Sequence, residues 1–128
     1  MKPEFNNSSP IYQQIVDHIK ISISKGDYLP GAKVSSVREL AVNFGVNPNT
    51  VQRALAKLED MGYLYTERTS GRYVTKDLAI ITQLKSEILV QIMAEFMKKM
   101  QAAGIEKNDV IAYLKTYIER VEKDESSS

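Results

Sequence analysis

Ser36-Val37-Arg38-Glu39-Leu40-Ala41-Val42-Asn43-Phe44-Gly45-Val46-Asn47-Pro48 decides the fold of this chain. Ser36 followed three residues later by Glu39 is a capping box, in which each side chain satisfies the other residue's orphan N–H. It starts a short helix whose inward residues are Val37, Leu40, Ala41 and Phe44. Gly45 ends that helix, and Val46 can pack beneath the turn. Asn47-Pro48 opens a second helix as N-cap and first-turn proline. A gap of about two residues forces the helices to cross sharply, which is the signature of a helix-turn-helix.

The flanks extend the reading. Upstream, Ile11, Ile15, Ile19 and Ile23 recur every four residues, with Tyr12 and Val16 beside them. This is one apolar face of a helix. Ser9-Pro10 is its expected start, and Gly26 follows its end. Gly26 to Lys33 reads as a loop, turning at Pro30-Gly31. Downstream, Val51, Ala54, Leu55, Leu58 and Met61 form the buried stripe of the third helix. After Gly62 the pattern becomes extended. Tyr63 to Glu67 and Arg72 to Thr75 are rich in β-branched and aromatic residues, and Arg68-Thr69-Ser70-Gly71 is turn-forming. This predicts a β-hairpin, with Tyr65 and Tyr73 as cross-strand partners.

The remainder is helical. Ile81, Leu84, Ile88, Ile92, Phe96 and Met100 form one row, and Leu89, Met93 and Met97 a second. Gly104 breaks the chain. A last helix begins near Asn108 or Asp109 and buries Val110, Leu114, Tyr117, Ile118 and Val121. The predicted architecture is mainly α with a small β-hairpin. Residues 1–9 form a flexible arm, 10–76 a winged helix-turn-helix, and 77–128 a two-helix dimerisation region with a frayed tail.

Composition narrows the function. The 128 residues contain no Cys and a single His, His18. Disulfides, thiolate metal sites and a His-built transition-metal site are therefore excluded, and no metal or cofactor is expected. His18 reads as a surface or boundary residue. No nucleophile–base pair or phosphate-cradling glycine loop is visible, so an enzyme is not expected. The N-terminus has no apolar signal region, and no apolar run approaches the roughly 18 residues that span a bilayer. A soluble cytoplasmic protein without a membrane partner is expected. Net charge is +1, split as +3 over residues 1–76 and −2 over 77–128. The basic part coincides with the helix-turn-helix.

These residues resemble the GntR family of bacterial regulators. The likeness rests on Val34-Ser35-Ser36-Val37-Arg38-Glu39-Leu40-Ala41, on Gly45-Val46-Asn47-Pro48-Asn49-Thr50-Val51, and on Leu58-Glu59 with Met61-Gly62-Tyr63. Asn47 to Val51 and the short C-terminal region resemble its YtrA-type subfamily. The resemblance implies a dimeric repressor, often of genes for membrane transporters such as ABC systems. It also implies a DNA-contacting role for Arg38. The chain departs from the family pattern at three positions. Ser35 and Thr69 stand where many members have Pro and Gly. Pro48 stands where several have a base-contacting Arg, so that contact does not transfer.

A helix of about fourteen residues is roughly 21 Å long, and only its first turns reach base edges in the major groove. This selects Asn49, Gln52 and Arg53, with Gln52 suited to adenine and Arg53 to guanine or phosphate. Ser35, Ser36, Asn47 and Thr50 are expected near phosphates, and Lys57 is expected among the DNA-binding residues. Arg68, Ser70, Gly71 and Arg72 form the wing, where Arg suits a narrow minor groove. Ile81, Leu84, Ile88, Ile92, Phe96, Leu114 and Ile118 are expected to hold the homodimer, placing two recognition helices roughly 34 Å apart on an inverted-repeat operator of double-stranded DNA. The C-terminal helices leave little space for a conventional sensor, but a small-molecule effector of unknown identity could enter between them at the dimer interface, where Met93, Met97 and Met100 pack adaptably. The alternative is a winged-helix protein-interaction module that does not bind DNA, for which the near-neutral charge is the main support.

Overall fold

The computed structural model describes residues 4–126. The chain divides into two compact units between Ile88 and Leu89. The first contains α1 (Ile11–Ser24), α2 (Val37–Phe44), α3 (Pro48–Asp60), β1 (Leu64–Glu67), β2 (Gly71–Val74) and the start of α4 (Leu78–Ala102). The rest of α4, a 3-10 turn at Lys107–Asp109 and α5 (Val110–Ser126) form the second.

Within the first unit, Ile15, Val16, Ile19 and Ile23 of α1 meet Leu40, Ala41 and Phe44 of α2 and Val51, Ala54, Leu55 and Leu58 of α3 in one core. Each fully buried branched side chain contributes about 1.5–3 kcal/mol of transfer free energy. Met61 leaves the expected stripe. It is the C-cap of α3 and is 40% exposed.

The expected capping box is present. Ser36 Oγ accepts from the Glu39 backbone N–H at 3.1 Å, and the Glu39 carboxylate accepts in turn from Ser36. Gly45 then turns the chain with φ +68°. Its N–H donates to the Val42 carbonyl, and that of Val46 to Ala41. This Schellman pattern needs a left-handed residue, which glycine adopts without a Cβ penalty. Asn47 Oδ1 accepts from Asn49 N–H at 2.8 Å and opens α3.

The hairpin pairs Leu64 with Val74, Tyr65 with Tyr73, Thr66 with Arg72, and Glu67 with Gly71. Tyr65 and Tyr73 stack at 5.8 Å between centroids. The loop expected at 26–33 differs at its end. Lys33 bridges Tyr73, the Val34 N–H donates to Arg72, and the Val74 N–H donates to Ala32. Ala32 to Val34 thus adds a short third edge to the wing, too short for any alternation to be legible.

Three boundaries depart from the sequence reading. Residues 4–9 are not a loose arm: Phe5 meets Phe44 edge-on at 6.2 Å, and Gln14 bonds the backbone of both Asn6 and Ser9. Pro10 is the α1 N-cap, without a side-chain cap, and its carbonyl accepts from Gln13 and Gln14. Met1 to Pro3 of the expected arm lie outside the described residues. The last helix runs to Ser126, past Asp124 where the tail was expected to begin, and Ser127 and Ser128 lie outside the description.

The largest correction concerns α4. Ile81 and Leu84 were expected in a dimer interface, yet they are 8% and 1% exposed within the first unit's own core. Ile88 packs against that core. The apolar row of α4 is therefore divided. Its beginning completes the winged-helix core. Further along, Leu89, Ile92 and Met93 are exposed, as are Leu114, Tyr117 and Ile118 of α5, while Phe96 is half-buried.

Candidate nucleic-acid interface

Helix α3 presents its face by simple periodicity. At about 100° per residue, Asn49 and Ala56 lie opposite the buried Val51, Ala54, Leu55 and Leu58. Gln52 falls on one flank of that exposed line, with Arg53 and Lys57 on the other. Asn49, Gln52 and Arg53 are all exposed.

The two flanks are held differently. On one side the Arg53 guanidinium lies over the Tyr12 ring of α1, 3.8 Å from its centroid. Lys57, one turn later, has its ammonium 5.4 Å from the same ring and donates to Gln13 Oε1. On the other side Glu59 accepts a hydrogen bond from Thr66 of β1 and lies 4.0 Å from Arg72 Nε of β2. The recognition helix is thus tied to α1 through its cations and to the wing through an anion.

This arrangement redistributes the expected contacts. Arg38 is exposed at the second position of α2, and among the described residues no carboxylate lies within ion-pair distance of it. A cation there opposes the helix dipole, and a phosphate would offset that penalty. The Ser36 hydroxyl is taken up by the capping box, because it also donates to Glu39 Oε1 at 3.0 Å. The Asn47 cap uses only its side-chain oxygen. Ser70 Oγ accepts from Tyr73 O–H at 2.8 Å. Arg68 is exposed in the hairpin turn beside Gly71. Arg72 does not project from the wing tip as expected: its Nε is buried without a hydrogen-bond partner and faces Glu59. Alternation explains this, since Arg72 pairs with Thr66 on the strand face turned toward α3.

A cleft of about 600 Å³ separates the wing from the start of α2, lined by Lys33, Ser35, Ser36, Ser70, Gly71 and Arg72 among others. Lys33 was missed by the sequence reading, as were Tyr12, Gln13 and Glu59. Each is brought to the site by a contact distant in sequence, which no local pattern reveals. Thr50 lines a separate recess with Pro10, Tyr12, Asn49 and Arg53.

His18 is half-buried with its ring edge-on to Phe44 at 5.6 Å. Burial lowers its pKa, reinforced by Lys25 and opposed by Asp27. Among the described residues no cluster of His, Cys, Asp or Glu is arranged to hold a metal, and no helix is long and apolar enough to cross a membrane. In the second unit, Met97 and Met100 line a cleft of about 600 Å³ with Ile105 and Lys107, and Met93 lies outside that lining.

This geometry has close counterparts. Residues 11–74 match the family model described as "Bacterial regulatory proteins, gntR family". The HTH-type transcriptional repressor YtrA of Bacillus subtilis is 33% identical over 110 residues, covering 85% of each chain. The structure of a GntR family transcriptional regulator from Listeria monocytogenes superposes with a TM-score of 0.79 at 45% identity, covering 88% of this chain and 98% of that one. The DNA-binding domain of AraR, in complex with operator ORX1, superposes with a TM-score of 0.53 at 30% identity over 56% of this chain and 93% of its own. These proteins are regulators, not enzymes, and this chain, a DNA-binding transcriptional regulator with a winged helix-turn-helix, belongs to the GntR family of bacterial regulatory proteins.

Proposed function

We propose that the protein is a cytoplasmic homodimeric repressor that reads an inverted-repeat operator, with transporter genes among its targets. The observation that carries the DNA-reading part is the exposed row of Asn49, Gln52 and Arg53 on a helix capped by Asn47 and braced on both flanks. Preorganised side chains lose less conformational entropy on binding. Arg38 and Arg68 supply further exposed cations toward the backbone. The repressor role is supported by similarity to YtrA. The homodimer is supported by the exposed Leu89, Ile92, Met93, Leu114, Tyr117 and Ile118, an apolar set that water alone would leave unfavourably hydrated.

Titration of the protein against the promoter fragment upstream of its own gene, by gel shift at low and physiological salt, tests the reading. Nanomolar binding that weakens steeply with salt is expected, because Lys and Arg displace condensed counterions. Absent or salt-independent binding would instead favour a module that docks on protein.

A further inference from the structure

We propose that Tyr12 is a positioning residue for DNA recognition, its ring holding Arg53 in the orientation in which α3 presents it to the duplex. The inference rests on the reading that α3 enters the major groove.

Arg53 is exposed, and a free arginine there would sample many rotamers. In the structure its guanidinium sits 3.8 Å from the centroid of the Tyr12 ring. That is the separation of a stacked cation–π contact. Stacking covers one face of the planar guanidinium and leaves its N–H edge free to donate. That edge is what bidentate recognition of guanine or phosphate requires. The neighbouring contact repeats the device, since Lys57 sits over the same ring and bonds Gln13. Gln13 is in turn fixed by Asp17 Oδ1, which accepts from its amide at 3.0 Å. Two successive residues of α1 thus hold two cations one turn apart on α3. The recess beside them, formed by Pro10, Tyr12, Asn49, Thr50 and Arg53, opens at the first turns of α3. Tyr12 is half-buried and packed against the core, so the ring is itself anchored.

The test is a double-variant cycle on the full-length protein, read by fluorescence anisotropy against its operator and against operators altered at single base pairs. Tyr12→Leu is expected to weaken operator binding about threefold to tenfold and to blur preference at one base pair per half-site. Tyr12→Phe keeps the ring and is expected within about twofold of the parent. In an Arg53→Ala background, Tyr12→Leu is expected to add almost nothing. Arg53→Lys retains charge without the planar stack, and is expected to lose base preference while keeping the salt slope. Circular dichroism confirms that each variant is folded.

If Arg53→Ala binds like the parent, Arg53 does not contact DNA and the underlying reading fails with the inference. If Arg53→Ala weakens binding but Tyr12→Leu costs as much with or without it, only the inference is overturned. If Tyr12→Phe is as weak as Tyr12→Leu, the hydroxyl acts on DNA directly and the positioning role is equally overturned.

Discussion

The Glu59 carboxylate on α3 lies 4.0 Å from Arg72 Nε on β2 and accepts a hydrogen bond from Thr66 on β1. The two side chains are 32% and 19% exposed, so solvent screens the pair only in part. Arg72 Nε is buried without a hydrogen-bond partner, so the Glu59 carboxylate is its nearest counter-charge. Glu59→Ala removes the anchor of the wing and is expected to cost about 1 kcal/mol, measured by urea unfolding. The same change deletes a negative charge beside the proposed DNA-reading face and frees Arg72 of its counter-charge. Non-specific DNA binding should therefore strengthen, and its salt slope should steepen by about one counterion. A less stable protein with unchanged salt slope would show that Arg72 stays turned inward without Glu59.

The turn between α2 and α3 depends on Gly45 at φ +68°. Gly45→Ala puts a Cβ into left-handed backbone and should destabilise by about 1–2 kcal/mol. Ser36→Ala, at the other end of α2, removes the bond from Glu39 N–H and should cost about 1 kcal/mol. The sites sit at opposite ends of one short helix and share no hydrogen bond. The double variant should therefore show near-additive losses in thermal or urea unfolding.

The helix-turn-helix was legible because its determinants are local. Ser36, Glu39, Gly45, Asn47 and Pro48 each act within a few residues of themselves, and each does in the structure what its type and spacing imply. The Tyr65–Tyr73 stack was legible too, because hairpin register follows from the short turn. What escaped is tertiary. Arg53 and Tyr12 are brought together only by the packing of α1 on α3, and Arg72 meets Glu59 only because the wing folds against α3. Periodicity marked Ile81 and Leu84 as apolar but did not say which partner covers them. An apolar row long enough for two surfaces carries no internal mark of where one ends and the other begins.

His18 packs its ring edge against Phe44, and burial lowers its pKa from the ordinary 6.5. The folded chain then binds fewer protons than the unfolded chain between that value and the lowered one. Stability should be complete above pH 6.5 and fall as pH drops through the window. Lys25 reinforces the shift and Asp27 opposes it. His18→Gln cannot titrate, so its melting temperature should vary less between pH 7 and pH 5 than the parent's. Parallel profiles for the two proteins would assign the acid loss to other groups.

The division of α4 at Ile88 separates two outcomes for one kind of substitution. Ile81 is 8% exposed in the winged-helix core, whereas Ile92 and Ile118 are 59% and 47% exposed in the second unit. A carboxylate at Ile81 would be buried without a partner, at a cost of several kcal/mol. Ile81→Glu should therefore unfold the DNA-binding unit, seen as lost circular dichroism. Ile92→Glu combined with Ile118→Glu places charges where the proposed dimer would bury them and leaves the described core untouched. That variant should remain folded and sediment as a 14.5 kDa monomer. Without the second reading head it also loses the effective concentration that couples two half-sites, and operator affinity should fall about a hundredfold or more. A folded variant that still sediments at twice the chain mass would place the dimer contact on another face.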